Sequence, residues 1–204
     1  MTATPDEQPA ARERILAAAV ARIASDGVDD VRIARIAMDA GVSPPLVHHY
    51  FESREMLLAE ALRYSYTRAG DARISTGEIP AATHAEKLRL MIGQCLPGTP
   101  SLAQDWVLWV ELWLRAARHP ELRPVAEELY GRLREWFVDE INAGVEDGEF
   151  NPELDSILVA DTTLALLDGF GVRALMGDSN ITLERARTAI EAALARDLGL
   201  TKLA

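Results

Sequence analysis

Apolar positions recur along this chain at helical spacing. In residues 12–26 they fall at i, i+1, i+4, i+5 and i+8, and in residues 32–40 they fall at i, i+3, i+4 and i+7. Each set occupies one face of a helix. No stretch keeps a period-two alternation, and no Asn-Gly hairpin signal occurs. The pattern therefore predicts an all-α fold.

The later segments predict helices through the rest of the chain. Asp26-Gly27 ends the first helix, and the stretches 97–100 and 119–120, which contain proline, separate three of the later ones. The remaining predicted helices cover 44–50, a segment that starts at Ser53, 84–95, 102–117, 121–147, 153–176 and 182–197. The chain is thus expected to contain about nine helices and no internal repeat.

Residues 32–51 have the order of a helix-turn-helix. The first helix stops at Gly41, where a sharp reversal favours a residue that adopts positive φ. Ser43 is a suitable N-cap for the second helix, and Pro44 suits its first position, where a missing N–H costs nothing. Pro45 is less comfortable, so the second helix begins at either proline. Such a helix pair either reads DNA in a major groove or forms only a rigid turn.

The second helix of this pair carries two different faces. Its expected inward positions are Val47, Tyr50 and Phe51, and its outward or flanking positions are Pro45, Leu46, His48 and His49. Adjacent histidines on a helix diverge by about 100°, whereas a helical metal pair needs i, i+4 spacing. We therefore expect no metal site. The histidines either have no role beyond solvation or contact phosphates or bases.

Residues 12–62 resemble the DNA-binding domain of TetR-type transcriptional regulators. The family pattern runs Ile-Ala-x-x-Ala-Gly-Val-Ser, three variable residues, an aliphatic residue, aromatics ending in Phe, then Ser-Lys-Glu-x-Leu. Residues 36–57 read IAMDAGVSPPLVHHYFESREML and match it without a gap. Residues 101–176, with WVELW, PEL, GEF and LDG, are similar to the C-terminal domain of the BetI-like branch.

The resemblance implies an all-helical homodimer that acts as a ligand-responsive repressor of transcription. It implies a disordered tail over residues 1–9, a three-helix helix-turn-helix DNA-binding domain over 10–57, and a larger effector-binding and dimerisation domain over 58–204. The partner would be a palindromic double-stranded operator, released when a small effector binds. The residues expected at the DNA are Arg32, Ser43, Pro44, Pro45, Leu46, His48, His49, Tyr50 and Arg54.

Departures from the family pattern change the expected chemistry of the interface. Arg32 stands where Ser or Thr commonly caps the helix, and an arginine cannot cap but reaches a phosphate well. Pro44 and Pro45 stand where Lys and Gly are common, and they offer only apolar contact, for example to a thymine methyl. His48 and His49 replace two tyrosines. The operator sequence therefore does not follow from any relative.

The net charge of the chain bears on the interpretation that it binds DNA. The 204 residues have a formal net charge of −11, which argues against a large polyanion-binding surface. Residues 1–68 hold 8 Arg/Lys and 10 Asp/Glu, a net charge of only −2, so most of the acidity lies elsewhere. We therefore expect DNA affinity to be modest and to depend only weakly on salt.

Other compositional features narrow the class of protein. Cys95 is the only cysteine, so no internal disulfide forms. No apolar run is long enough for a membrane span, and the N-terminus lacks the order of a signal peptide. These features predict a cytoplasmic protein. No Gly-rich phosphate loop, paired-histidine metal motif or nucleophile elbow occurs, so we expect no cofactor and no enzyme activity.

Aromatic residues concentrate in the second half of the chain, where they form either plain core or the lining of a pocket. Trp106, Trp109 and Trp113 form a stripe on one predicted helix, and Tyr130, Trp136 and Phe137 lie on the next. The candidate effector pocket comprises Tyr66, Met91, Cys95, Trp109, Trp113, Phe137 and Asp168.

Three carboxylates lie in apolar surroundings, namely Glu111, Asp161 and Asp168. Each needs a partner. The partner is either an internal arginine, such as Arg115 or Arg173, or a cationic ligand held by aromatic faces. The BetI-like resemblance implies a choline-type cation.

The helix predicted over 153–176 is apolar nearly all round, so it needs a second layer. With residues 182–197 it would form half of an intersubunit four-helix bundle. The expected interface residues are Thr162, Leu166, Phe170, Arg173, Ile190 and Leu194. The alternative to a regulator is a helical small-molecule-binding or adaptor protein that no longer binds DNA.

Overall fold

The computed structural model describes residues 7–27, 31–75 and 82–203. Within these ranges it contains nine α-helices, one short 3-10 turn and no strand, which confirms the predicted all-α class. The helices are α1 (Glu7–Asp26), α2 (Ile33–Asp39), α3 (Pro44–Tyr50), α4 (Arg54–Ser75), α5 (His84–Cys95), α6 (Pro100–Arg118), α7 (Arg123–Glu146), α8 (Ser156–Leu175) and α9 (Leu183–Asp197), with the 3-10 turn Pro120–Leu122 before α7. None of these helices is long and apolar enough to cross a membrane.

Helix boundaries follow the local signals in the sequence, with one difference at the N-terminus. Helix α1 begins at Glu7, so the last three residues of the predicted tail are helical. Pro9 is compatible with this because N–H groups in the first turn have no intrahelical partner. Residues 1–6 of the predicted tail lie outside the described residues.

The chain divides into two compact units that differ from the predicted domains. The first unit spans the described residues up to Asp71 together with Val107–Glu127, and the second spans Ala72–Trp106 together with the segment from Glu128 onward. The predicted boundary at residues 57 and 58 falls inside α4, which continues to Ser75. Because α4 runs without interruption through this position and buries both Leu57 and Leu58, it offers no natural break there.

Within the first unit, the apolar faces of α1 to α4 are buried as their spacing predicts. The most enclosed side chains are the periodic ones of α1, the inner face of α2 and α3, and the first turns of α4. They are Ile15, Leu16, Ala19, Ile23, Ile36, Ala37, Val47, Phe51, Leu57, Leu58, Ala61 and Leu62. The helix-turn-helix is therefore held by a core of its own.

The second unit contains a separate core formed by α5, α7, α8 and α9. Ile190 and Leu194 of α9 lie in it with 0% and 1% of their surface exposed. A side chain that is fully enclosed within its own subunit offers no surface to a partner, so these two residues do not belong in a dimer interface. On α8 the other expected interface residues remain accessible: Thr162 and Arg173 are exposed, and Leu166 and Phe170 are half-buried.

Two aromatic rings of the second unit are seated against helix glycines. The indole of Trp106 lies so close to Gly171 of α8 that an added Cβ would meet its ring carbons at 2.3 Å. The same indole donates from Nε1 to the carbonyl of Cys95 at 2.9 Å. The ring of Phe150 covers Gly144 of α7 in the same way, at 2.1 Å from a hypothetical Cβ. These glycines are needed for close approach rather than for positive φ.

The N-terminus of α5 is satisfied by side chains from inside the second unit. Thr83 accepts from the N–H of Glu86 at 3.1 Å, and the carboxylate of Glu149 accepts from the N–H groups of His84 and Ala85 at 2.8 Å each. A carboxylate at this end of a helix also interacts favourably with the helix dipole. The start of α5 is thus bonded to the turn that follows α7.

The ring of His84 adds a second connection between these elements. Its Nδ1 lies 2.7 Å from the nearly buried carboxylate of Glu140, and its Nε2 lies 2.9 Å from that of Asp147. Lys87 also pairs with Glu140. The hydrogen bond to Asp147 first, and then that to Glu140, raises the pKa of the imidazole above its ordinary value, because both favour the charged ring. The two carboxylates therefore favour the protonated form of the His84 ring.

We expect Gly171→Ala to lower the free energy of unfolding by about 1–3 kcal/mol, because the methyl group overlaps the Trp106 ring. Gly93→Ala is the matched control, since Gly93 lies in α5 and has no neighbour within 4 Å of a new Cβ. This control should gain up to about 1 kcal/mol from helix propensity. Urea denaturation at one protein concentration measures both, and a stabilised Gly171→Ala variant would contradict the packing described.

We expect the His84 network to make stability depend on pH. A raised folded-state pKa means that the stabilisation is fully present below the ordinary histidine value and is lost as pH rises through the folded value. Between pH 6 and 9 the wild type should therefore lose on the order of 1 kcal/mol relative to His84→Gln. His119→Gln, which removes a partly exposed histidine beside Glu121, should follow the wild-type curve. Parallel curves for wild type and His84→Gln would be evidence against the network.

Candidate functional site

The turn between α2 and α3 has the bonding of a helix that ends in a left-handed glycine. Gly41 has φ of 64°. Its N–H donates to the carbonyl of Met38 at 3.1 Å, and the N–H of Val42 donates to that of Ala37 at 2.9 Å. This pair of bonds is the Schellman arrangement. It fixes the reversal that brings α3 out of α2, as the position of Gly41 predicted.

Helix α3 begins at Pro44, so both prolines lie in its first turn. Ser43 has the extended φ and ψ of an N-cap, but its hydroxyl accepts no capping bond, contrary to its predicted role. The prolines explain this, because Pro45 occupies the N2 position and has no N–H to donate. The N–H of Leu46, at N3, instead donates to the backbone carbonyl of Ser43 at 3.0 Å. The Ser43 hydroxyl remains exposed at the helix start.

The two faces of α3 separate as predicted. Val47 is fully buried and Phe51, just after the helix, is 3% exposed. The outer face is formed by Pro44, Pro45, His48 and His49, all of which are exposed. Leu46 and Tyr50 are half-buried between the faces, so the expectation that Leu46 points outward holds only in part.

Two guanidinium groups lie at the starts of the neighbouring helices. Arg32 is the N-cap residue of α2, makes no side-chain capping bond and is exposed. Arg54 is the first residue of α4 and is also exposed. Ser53 caps that helix by accepting from the N–H of Met56 at 3.0 Å, as predicted. Arg32 and Arg54 therefore bring positive charge to helix N-termini, where backbone dipoles also attract anions.

Other arginines of the first unit are engaged within the unit. Arg22 of α1 donates to both oxygens of Asp39 of α2, from Nε at 2.5 Å and from Nη2 at 3.1 Å. This hydrogen bonding lowers the pKa of the Asp39 carboxyl. Arg14 donates to the carbonyl of Ala40 at 3.1 Å, and Arg12 pairs with Glu60. These side chains connect helices to one another, which sequence spacing could not reveal because the partners are 17 to 48 positions apart.

In the first unit, three of the predicted pocket residues form an aromatic cluster. The rings of Tyr66 and Trp109 meet edge to face with centroids 6.2 Å apart, and Trp109 and Trp113 are also 6.2 Å apart. All three side chains are half-buried. On α6, which also carries Trp109 and Trp113, the carboxylate of Glu111 lies 3.7 Å from Nε of Arg115. The internal arginine expected as one alternative for Glu111 is therefore present.

The remaining predicted pocket residues lie in the second unit. Met91 and Phe137 are fully buried and Cys95 is 8% exposed, all within the core of α5, α7, α8 and α9. Asp168 of α8 is half-buried and accepts a 2.5 Å hydrogen bond from the phenol of Tyr130. Trp106, the first residue of the predicted aromatic stripe, packs on Gly171.

Burial dominates the electrostatics of the Asp168 and Tyr130 pair. Desolvation raises the pKa of Asp168, although the hydrogen bond from Tyr130 acts in the opposite direction. Desolvation first, and then the hydrogen bond to Asp168, raises the pKa of Tyr130, which therefore stays a donor at neutral pH. The pairing joins α7 to α8, and the sequence did not indicate it.

The surroundings of Arg173 and Asp161 differ from those that the sequence suggested. Arg173 pairs with Asp178, at 2.7 Å, rather than with Asp168. Asp161 is exposed and lies 3.6 Å from Arg134, so its surroundings are not apolar. An exposed ion pair of this length contributes little. Of the described carboxylates singled out in the sequence, Asp168 is the one that burial perturbs.

The described residues contain no group of three His, Cys, Asp or Glu side chains that could hold a metal ion. The two histidines of α3 lie on its exposed face, and neither ring forms an ion pair with a carboxylate in the described part of the first unit. The chemistry available on this face is therefore apolar contact and hydrogen bonding.

Comparison with protein families gives two matches that together span most of the chain. Residues 15–61 match the bacterial regulatory proteins of the tetR family. Residues 84–199 match the C-terminal domain of the BetI-type transcriptional repressor. A relative from Rhizobium meliloti, the HTH-type transcriptional regulator BetI, is 27% identical over 177 residues, which cover 87% of this chain and 84% of the relative.

Solved structures show the same architecture. A TetR-family transcriptional regulator from Rhodococcus sp. has a TM-score of 0.82 and 28% identity, and the match covers 93% of this chain and 99% of that one. A transcriptional regulator from Saccharomonospora viridis, crystallised in complex with choline, has a TM-score of 0.80 and 28% identity, covering 95% and 98%. The predicted fold class is confirmed over nearly the whole length.

Ser53 caps its helix and Ser43 does not, and this difference can be tested by substitution. Ser53→Ala should lower the free energy of unfolding by about 1 kcal/mol because it removes a capping bond. Ser43→Ala should change it by less than about 0.5 kcal/mol, because the hydroxyl caps nothing. Chemical denaturation of the two variants beside the wild type makes the comparison, and equal losses would mean that Ser43 caps α3 after all.

Proposed function

The chain belongs to the TetR family of bacterial regulatory proteins, with a BetI-type C-terminal domain, and we propose that it represses transcription by binding operator DNA through α3 and releases the operator when a small cation binds. The observation that carries the proposal is the helix-turn-helix geometry: Gly41 turns the chain, and Val47 and Phe51 are buried while the opposite face of α3 is exposed. Its site of action would be the cytoplasm, where operator DNA lies.

The contacts that we propose with phosphates come from the starts of α2 and α4. Arg32 and Arg54 supply charge there, and His48, His49 and Tyr50 supply hydrogen-bonding groups from α3. Because Arg12 and Arg22 are engaged in ion pairs within the first unit, the number of charges left for phosphate is small. This supports a salt dependence shallower than that of a strongly basic DNA-binding domain.

We propose that two subunits pair through the exposed faces of α8 and α9. The exposed residues at helical spacing are Leu158, Thr162, Ala165 and Gly169 of α8 and Met176, its C-cap residue. Leu158 and Met176 are among the most exposed large apolar side chains described. An apolar stripe with small residues at its middle suits close packing against a second copy of the same helix. A two-fold dimer would read a palindromic operator.

For the effector we propose a small cation whose counter-charge is Asp168. Burial raises the pKa of this carboxyl, and no cation among the described residues offsets it, so a ligand that brings a positive charge would regain that free energy. Tyr130 holds the carboxyl in place and offers an aromatic face. The choline in the Saccharomonospora viridis structure supports this class of ligand. Trp106, which packs on Gly171 of the helix that carries Asp168, would report binding through its fluorescence.

The proposed DNA contacts of the histidines predict that their removal weakens operator binding. The double variant His48→Ala/His49→Ala should lose several-fold in operator affinity, because each ring that contacts a phosphate supplies a hydrogen bond of about 1 kcal/mol. His119→Ala, a histidine outside α3, is the control. Fluorescence anisotropy with the DNA upstream of the protein's own gene measures the affinity, with light scattering to establish that the protein is dimeric.

Two outcomes of this measurement would contradict the proposal. An operator affinity that is unchanged in the double variant would remove the histidines from the interface. A monomer that binds no upstream DNA would contradict the repressor itself and favour a binding protein without DNA activity.

The proposed role of Asp168 predicts loss of effector binding in Asp168→Asn. With choline and related quaternary amines, tryptophan fluorescence should report binding to wild type and at least about tenfold weaker binding to this variant, as expected for a lost charge pair. Wild-type affinity should rise with pH across the acidic range, since the carboxyl must ionise to attract a cation and its pKa is raised. Asp161→Asn, an exposed carboxylate of the same helix, is the control. Absence of any fluorescence response to the amine panel would contradict the cationic effector.

A further inference from the structure

The start of α3 has almost no hydrogen-bond donors to offer. Pro44 and Pro45 carry no N–H. The N–H groups of Leu46 and Val47 are directed to the carbonyl of Ser43, at 3.0 and 3.4 Å. A recognition helix usually places its N-terminal residues against base edges in the major groove. In the first turn of α3, neither the backbone nor the side chains of Pro44 and Pro45 can donate a hydrogen bond to a base edge.

What this region does offer is apolar surface. The pyrrolidine rings of Pro44 and Pro45 are both exposed, and the half-buried Leu46 lies beside them. The residues that α3 buries are others, chiefly Val47 and, just after the helix, Phe51. Among base edges in the major groove, the apolar group is the C5-methyl of thymine.

We propose that Pro44 and Pro45 select thymine through its C5-methyl group at the base pairs that face the start of α3. The inference rests on the proposed DNA binding and specifies what part of the operator is read. A proline ring against a methyl group excludes water from both, which favours thymine over any base without the methyl group by roughly 0.8 kcal/mol, or about fourfold in affinity, for each methyl group buried.

The geometry of α3 limits where these thymines lie. Four residues separate Pro44 from His48, which corresponds to about 6 Å along the helix axis. Base pairs are stacked about 3.4 Å apart, so the methyl-sensitive positions lie about two base pairs from those that face His48 and His49. In a dimer the same positions occur in both half-sites, symmetrically about the centre. The rigid prolines lose little conformational freedom on binding, which suits an apolar contact of this kind.

The experiment starts from the operator protected by the full-length protein in a footprint. Each thymine in the protected region is replaced in turn by deoxyuridine, which keeps the hydrogen-bonding face and lacks only the methyl group. We expect one or two positions in each half-site to lose about three- to fivefold in affinity. Replacement at the other positions should leave affinity unchanged.

Variants assign the effect to the prolines. Pro44→Ser and Pro45→Ser remove the apolar rings, and the deoxyuridine penalty at the sensitive positions should fall towards onefold in at least one of them. Leu114→Ser, a change at an exposed apolar side chain of α6, is the matched control and should keep the full penalty. Because the penalty is a ratio of two affinities measured with the same variant, a general loss of stability does not mimic the result.

The outcomes separate this inference from the function on which it rests. A protein that protects no DNA contradicts the repressor. An operator that is bound equally well with thymine and deoxyuridine at every position overturns thymine selection while leaving the repressor intact. A penalty of unchanged size in both proline variants also overturns it, because the methyl group would then be recognised by another residue.

Discussion

The burial of Val47 and Phe51 in the first unit is the constraint on which the rest of the DNA-facing surface depends. Helix α3 has seven residues, too few to be stable alone in water. Its orientation therefore comes from the side chains that it buries, together with the reversal at Gly41. Once these are enclosed, the prolines and the histidines can only face outward. Exposure of that face is thus a consequence of core packing.

The acidic charge of the protein is compatible with DNA binding because the charges are distributed unevenly. Arginines of α1 form ion pairs with Glu60 and Asp39 or donate to a backbone carbonyl. These contacts connect helices of the first unit. The second unit uses acidic residues in a similar way, since Glu149 caps α5 and Glu140 receives His84 and Lys87. Net charge therefore says little about the local surface of a small DNA-binding unit.

Agreement between sequence and structure was closest where the determinants are local. The bounds of α3 and α5 matched the expected helices, the reversal was found at Gly41, and Ser53 caps its helix as expected, whereas Ser43 does not. Agreement was poorest where side chains meet across long separations. Ile190 and Leu194 were expected at a subunit interface but lie in the core of their own subunit, and the periodicity of an amphipathic helix does not state which partner covers its apolar face.

The sequence by itself determined the number and kind of helices, the turn at Gly41 and the family, because these follow from spacing of apolar residues and from backbone preferences within a few positions. Tertiary structure decided which carboxylates are buried, which arginines are engaged, and that the Ser43 hydroxyl caps nothing. Asp168 and Asp161 look alike in the sequence, yet one is half-buried against Tyr130 and the other is exposed. The reason is physical: burial and ion pairing depend on neighbours that are distant along the chain, and only the folded packing brings them together.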